Sequence, residues 1–210
     1  MKKINLTKLL DINKLRAGEF MRLIPEIYEL KEAVENNPWH HYESVFDHTL
    51  SVLENLKVLL EKTSQKINSY LDQKVEKHTR RQLLFLGTLF HDIGKKDALV
   101  KNGESSTCPN HEEIGFLKSE MVLERFDLPK TEKEFVARIV KNHGAIHNIL
   151  DLKNNNLKQD YEDFKNKFSD MFLELILLGF ADTSGSYLKK TNPEEFKFRI
   201  DFFEKVLKDY

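Results

Sequence analysis

Six residues interrupt apolar helical faces with side chains able to bind metal: His48, His91, Asp92, His111, His143 and Asp182. A buried His or Asp is costly unless it is hydrogen-bonded, paired or coordinated. Imidazole nitrogens and carboxylate oxygens are also the donors that suit divalent transition metals. Taken singly, His48 or His143 reads as a hydrogen-bonded core histidine, and Asp182 as an ion-pair partner or a cap. Adjacent His91 and Asp92 resist that explanation. Helical neighbours diverge by about 100°, so a central object or two separate partners must engage both. One metal centre answers all six.

The elements that must position these residues are helices. With 210 residues the chain reads as a single domain, 1–210, able to bury one good core. Its 8 Gly and 5 Pro are too few for the many turns of an all-β fold. Apolar steps of three and four predict one helix through Phe20, Ile24, Ile27, Tyr28 and Val34, and another from Val45 through His48 to Leu59. Gln82–Phe90 is apolar almost all round, as in a central buried helix, and stops at His91, Asp92 and Gly94. Lys95–Asn110 reads as a surface loop, with Asn110 capping the next helix. Thr131 and Glu134 have capping-box spacing before a helix that closes at His143 and Gly144. Phe164, Phe168, Phe172, Leu175, Gly179 and Asp182 share the face of one long helix, and Asn192-Pro193 opens the last one. The expected fold is an all-α helical bundle with the metal site between core helices.

Charge and composition exclude several classes. Lys+Arg 33 against Asp+Glu 34 leaves a net charge of -1, without the overall basic balance that draws proteins to duplex nucleic acid. Hydrophobic residues at 40% and 15 Phe exclude a disordered chain. The first residues are broken by Lys8, Asp11 and Lys14 too early for a secretory signal, and no apolar run reaches the length of a membrane span. One cysteine, Cys108, permits no intrachain disulfide and reads as an incidental thiol, so a cytoplasmic location is expected.

The order His48, His91-Asp92, Asp182, with His111 and His143 between, resembles the HD superfamily of metal-dependent phosphohydrolases. Locally, PWHHYESVFDHTL (38–50), HDIGK (91–95), NGESSTCPNHEEIG (102–115) and VKNHG (140–144) are similar to the HD domain attached to bacterial tRNA nucleotidyltransferases. The resemblance spans about residues 38–185. Glu43-Ser44-Val45 departs from the Gly-Asp-Val-like stretch of that group. No Gly-Gly, Arg-Asp or paired-Asp nucleotidyltransferase motif is present, so nucleotide addition to tRNA is not expected, and the single HDIG string lacks the extension of cyclic-dinucleotide phosphodiesterases.

The resemblance implies that His48, His91, Asp92 and Asp182 hold one metal while Asp92 bridges to a second held by His111 and His143. One or two divalent ions (Fe, Mn, Ni, Co or Zn) would then serve hydrolysis of a phosphomonoester or 2',3'-cyclic phosphodiester of a nucleotide-like substrate by a metal-bound hydroxide. Lys95 is the candidate catalytic phosphate contact, its alternative being an exposed loop lysine. His40 is a candidate for orienting substrate or protonating a leaving oxygen, with a surface pair beside His41 as the alternative. His147, four residues past His143, is a candidate extra ligand. Glu112 and Glu113 suit the positive end of a helix dipole, Trp39 reads as packing and His78 as a solvent-facing helical residue. The ligand set alone leaves open a mixed-valent di-iron oxygenase, and a non-catalytic RNA- or nucleotide-binding module would have lost ligands. Expected partners are a small phosphorylated substrate or an RNA end, with no membrane. Phe198 and Phe202, read as exposed on the last helix, suggest a homodimer surface.

Overall fold

The computed structural model describes residues 3–210. Single 3-10 turns at Leu6–Leu9 and Leu30–Glu32 flank α1 (Ile12–Arg16) and α2 (Pro25–Glu29). A ribbon of β1 (Val34–Asn37) and β2 (His40–Ser44) leads into α3 (Val45–Lys62), α4 (Gln65–Leu71), α5 (Arg80–Phe90) and the one-turn α6 (Lys95–Ala98). A second ribbon, β3 (Val100–Asn102) and β4 (Ser105–Thr107), precedes α7 (His111–Leu123), α8 (Lys130–Asn142), α9 (Ala145–Ile149) and α10 (Leu157–Lys167). The chain closes with α11 (Phe172–Gly185), α12 (Leu188–Thr191) and α13 (Pro193–Asp209). The fold is all-α, with two antiparallel ribbons added to it.

The core follows the apolar pattern. Leu83, Leu84, Leu86, Leu89 and Phe90 of α5 are fully buried, and α5 packs against α3, α8 and α11. α11 lies along α3 and is buried on every side from Phe172 to Gly179. The capping box that starts α5 is formed by Thr79 and Gln82, which satisfies two otherwise unpaired backbone donors. Beyond Phe90 the chain turns tightly, with Lys95 N–H donating to the Asp92 carbonyl at 3.0 Å. Gly94 is required there by contact: a Cβ would lie 2.4 Å from the His111 carbonyl oxygen and 2.5 Å from Gly115 N. The turn carrying His91 and Asp92 is thereby seated directly on the start of α7.

Several local expectations are corrected. The stripe from Phe20 to Val34 is not one helix: Pro25 starts α2 and disfavours helical backbone at Ile24, and Val34–Asn37 is a strand. Part of the expected loop at Lys95–Asn110 is ordered as α6 and the β3–β4 hairpin, turned at Gly103 with φ +62. Asn110 precedes α7 but sits at φ +56 and makes no side-chain cap, and Thr131 bonds Glu76 instead of capping α8. The long Phe164–Asp182 helix is two helices. Between them Asp170 accepts from Arg138 at 2.6 and 3.0 Å and gives its carbonyl to Arg80, contacts that accompany the break in the helix. His78 is buried in a loop against Glu132, not on a solvent-facing helix. Phe198 and Phe202 are half-buried against the core, and Tyr161 of α10 covers Phe202 edge-on at 5.3 Å.

Candidate metal centre

The structure brings all six candidate ligands together from five parts of the chain. His48 comes from α3, His91 and Asp92 from the turn after α5, His111 from the first residue of α7, His143 from the end of α8 and Asp182 from α11. Asp92 is central. Its Oδ2 lies 3.2 Å from His91 Nε2 and 3.8 Å from His48 Nε2. Its Oδ1 lies 3.6 Å from His111 Nε2 and 3.5 Å from His143 Nε2. Each oxygen therefore faces its own histidine pair, with Asp182 Oδ1 2.9 Å from His48 Nε2 on the first side.

The orientation of the rings follows from the backbone. His91, His111 and His143 each donate Nδ1–H to the carbonyl three residues earlier, at Thr88 (2.7 Å), Cys108 (2.8 Å) and Val140 (2.7 Å). Such bonds fix the tautomer and leave Nε2 as a bare donor aimed inward. His91 Nε2 is buried without a hydrogen-bond partner, and two bare nitrogens, His111 Nε2 and His143 Nε2, face each other at 3.3 Å. Unsatisfied buried nitrogens around a shared carboxylate are the arrangement a divalent cation completes, so the residues present fit one or two such ions.

Charges around Asp92 are strongly coupled. Burial opposes ionisation of Asp92, but the neighbouring His91 and Lys95, with His143 close by, hold its carboxyl well below the ordinary range. Burial likewise opposes charge on Asp182 and is outweighed by the nearby His147 and His48. His48 is pushed by burial toward the neutral form, yet Asp182 and Glu43 carry it up to about 9. Glu43 Oε2 stands 3.6 Å from His48 Nδ1 and 3.5 Å from His40 Nδ1.

Lys95 is not an exposed loop lysine. It is 6% exposed, and its ammonium reaches Glu35 Oε2 at 2.7 Å, Asp92 Oδ2 at 3.0 Å and His40 Nε2 at 3.1 Å. His40 and His41 part company on the strand, His40 buried and His41 exposed, so the pair is not on the surface. Burial and the Lys95 charge lower the His40 pKa; its Nε2 faces the Lys95 ammonium at 3.1 Å, and its buried Nδ1 stands 3.5 Å from Glu43 Oε2 without a hydrogen bond. His147 Nε2 is 3.1 Å from Asp182 Oδ2. Glu113 points away to Lys141 at 2.9 Å, whereas Glu112 lines the cleft. Burial pushes the Cys108 thiol up to about 12, in keeping with an inert thiol. Trp39 packs edge-on against His147 and is half-buried.

Glu35, Glu43 and Arg199 were not among the candidate site residues. Glu35 lies in a stretch whose spacing reads as helix, and only the alternation of a strand turns it inward. Glu43 is signalled by its departure from the related wording. Arg199 has no sequence signal, since an Arg on an amphipathic helix ordinarily faces water. The cleft above these groups measures about 390 Å³ and admits Asp92, Lys95, His111, His143, His147 and Asp182 to one cavity.

Comparison with known proteins agrees with this geometry. The model of the HD domain matches residues 45–183. The bifunctional uridylyltransferase/uridylyl-removing enzyme of Azotobacter vinelandii is 27% identical over 180 residues, covering 85% of this chain and 18% of that protein. The enzymes of the same name from Stutzerimonas stutzeri (26% over 155 residues, 74% of this chain and 16% of that protein) and Nitrosospira multiformis (25% over 193 residues, 91% and 20%) are similar too. This chain spans about a fifth of the length of these curated relatives. They carry a different name from the tRNA nucleotidyltransferases suggested by the local wording. With the HD model covering most of its length and the His and Asp residues of that motif converging on one buried centre, the chain belongs to the HD-domain family of metal-dependent phosphohydrolases.

Proposed function

We propose that this chain hydrolyses a phosphodiester bearing a nucleotidyl group, with phosphomonoesters and 2',3'-cyclic phosphodiesters of nucleotides as the neighbouring substrate classes. The observation that carries this reading is Asp92, whose two carboxylate oxygens face two separate histidine pairs at 3.2–3.8 Å. A carboxylate so placed is suited to bridging two cations. The uridylyl-removing activity named in the relatives points to the same bond type, because a uridylyl group is attached through a phosphodiester.

In this reading His48, His91, Asp92 and Asp182 hold one ion, and Asp92, His111 and His143 hold the other, Fe, Mn, Ni, Co or Zn all suiting such donors. Divalent ions bound there would supply Lewis acidity at phosphorus and an activated water near neutral pH. The carbonyls of Thr88, Cys108 and Val140 keep three ligand rings aimed at that point. Lys95 keeps Asp92 ionised and brings a positive charge to the wall of the cleft, where exchanging its contact with His40 for a phosphoryl oxygen would bind substrate. His40, whose Nε2 faces the Lys95 ammonium at 3.1 Å, would position Lys95. A small phosphorylated molecule suits the cleft, and a protruding RNA end is a second occupant with the same chemistry.

The test is a panel of uridine 5'-(p-nitrophenyl) phosphate, 2',3'-cyclic nucleotides and nucleoside monophosphates, each with Mn, Ni or Fe. Metal-dependent release, fastest from the nucleotidyl diester, is expected. No release from any ester by metal-loaded protein overturns the reading. Oxygen uptake with an inositol or phosphonate substrate would assign the centre to di-iron oxygenase chemistry instead.

A further inference from the structure

Asp182 has two oxygens, and they face different neighbours. Oδ1 is 2.9 Å from the ligand His48, and Oδ2 is 3.1 Å from His147 Nε2. His147 Nε2 is buried and makes no well-aligned hydrogen bond, so it must serve a metal or an acceptor. Its other nitrogen decides which. His147 Nδ1 lies 3.3 Å from Nη1 of Arg199, a residue of α13 beyond the span of the HD match.

Arg199 is fixed in place. It is 6% exposed, its Nε donates to Glu195 Oε1 at 2.9 Å while Nη2 pairs with the same oxygen at 2.8 Å, and its guanidinium lies over the Trp39 ring at 4.8 Å. A guanidinium only donates and does not lose its protons in proteins, so the nitrogen facing it must be an acceptor. Neutral His147 with a bare Nδ1 carries its proton on Nε2. A protonated Nε2 cannot ligate a metal, and ligation through it would set Nδ1–H against an Arg N–H.

Resting on the metal-centre reading above, we infer that Arg199 and His147 form a clamp in which His147 keeps its proton on Nε2, turned toward Asp182 Oδ2 at 3.1 Å, outside the metal ligand set. Asp182 is thereby held to present Oδ1 alone toward the ion. His147 and Arg199 are positioning residues, and the C-terminal helix becomes part of the site, although sequence spacing from His143 suggests an extra ligand.

The experiment is a cobalt(II) titration followed by visible absorption, with bound metal counted, on wild type, His147→Leu and His147→Gln, and far-UV circular dichroism as a check on folding. Gln places an amide N–H where Nε2–H stood. The expected result is the same number of cobalt ions and the same ligand-field spectrum in all three, affinity about 10–100-fold weaker in His147→Leu, and most of that loss recovered in His147→Gln. In parallel, ¹⁵N-histidine spectra on zinc addition should show His147 Nε2 keeping its proton while the Nε2 signals of His48, His91, His111 and His143 shift. Loss of a whole cobalt equivalent, an altered spectrum in His147→Gln, or a zinc-shifted His147 Nε2 overturns the clamp in favour of a ligand. Wild-type affinity in His147→Leu overturns any positioning role. Absence of cobalt binding by wild type would instead defeat the metal-centre reading itself, and this inference with it.

Discussion

Lys95 Nζ lies 2.7 Å from Glu35 Oε2, joining the turn that carries Asp92 to a strand 60 positions earlier. Burial opposes charge on Lys95, but Asp92 and Glu35 outweigh it and raise its pKa. The same contact lowers that of Glu35 against the effect of burial. One ammonium thus holds two buried carboxylates ionised, and it ties β1, which lies before the HD match, to the candidate metal centre.

Removing that ammonium should therefore be costly. Lys95→Met leaves Glu35 and Asp92 without their shared counter-charge, and metal-free protein should lose about 3–5 kcal/mol in urea unfolding. The double variant with Glu35→Gln should recover part of the loss. A single-variant change within about 1 kcal/mol would place Lys95 outside the structural network.

The metal-free protein should lose stability as pH rises. His48 is raised from about 6.5 to about 9, so its contribution is complete below pH 6.5 and is lost as pH climbs through 9. The groups facing it are Asp182, Glu43 and Asp92. The loss is on the order of 3 kcal/mol. Asp92 and Asp182, both depressed, act in the opposite sense, their contribution present above pH ~4 and lost in acid. Urea midpoints in chelator from pH 6 to 9.5 should fall for wild type and stay flatter for His48→Asn. Equal slopes would contradict the assignment.

Gly94→Ala tests the seating of the turn on α7. Its Cβ would meet backbone atoms at 2.4–2.5 Å, so α7 must shift, moving His111 away from His143. Stability should drop by about 1–3 kcal/mol and metal affinity should fall with it. Calorimetry together with metal titration measures both, and wild-type values would show that the packing tolerates a methyl group.

Much of the centre was legible because its residues break a pattern: a His or Asp on an apolar stripe stands out, and HDIGK at the end of a buried helix stands out most. The ribbons and the supporting carboxylates were hidden, since Val34 extends the helical stripe that starts at Phe20 and only pairing with His40–Ser44 fixes Val34–Asn37 as strand. Asp170 shows the same limit. Its contacts with Arg138 and Arg80 lie where the Phe164–Asp182 helix breaks, and no local spacing records them. The rise of the His48 pKa to about 9 was hidden too, because the carboxylates that cause it come from other elements.

Glu132 is another residue that only the fold reveals. Fully buried on α8, its Oε1 accepts the backbone N–H groups of Lys77 and His78 at 2.6 Å and of Glu76 at 3.3 Å, while Oε2 meets His78 Nδ1 at 2.7 Å. Glu132→Leu strands those donors in the loop before α5 and should cost roughly 3 kcal/mol or more. Glu132→Gln, which keeps an acceptor oxygen, should lose less. Equal losses in urea unfolding would mean that the volume of the side chain, not its hydrogen bonds, matters.

The central claim is that Asp92 joins two cation sites into one hydrolytic centre. Its most direct test is manganese-dependent hydrolysis of a nucleotidyl phosphodiester by wild type and Asp92→Ala, with bound metal counted in the same samples and helical content followed by circular dichroism. The account predicts bound metal and turnover in wild type, and loss of both in Asp92→Ala with the helices intact. Undiminished hydrolysis by Asp92→Ala, or metal-loaded wild type that releases nothing, would contradict it.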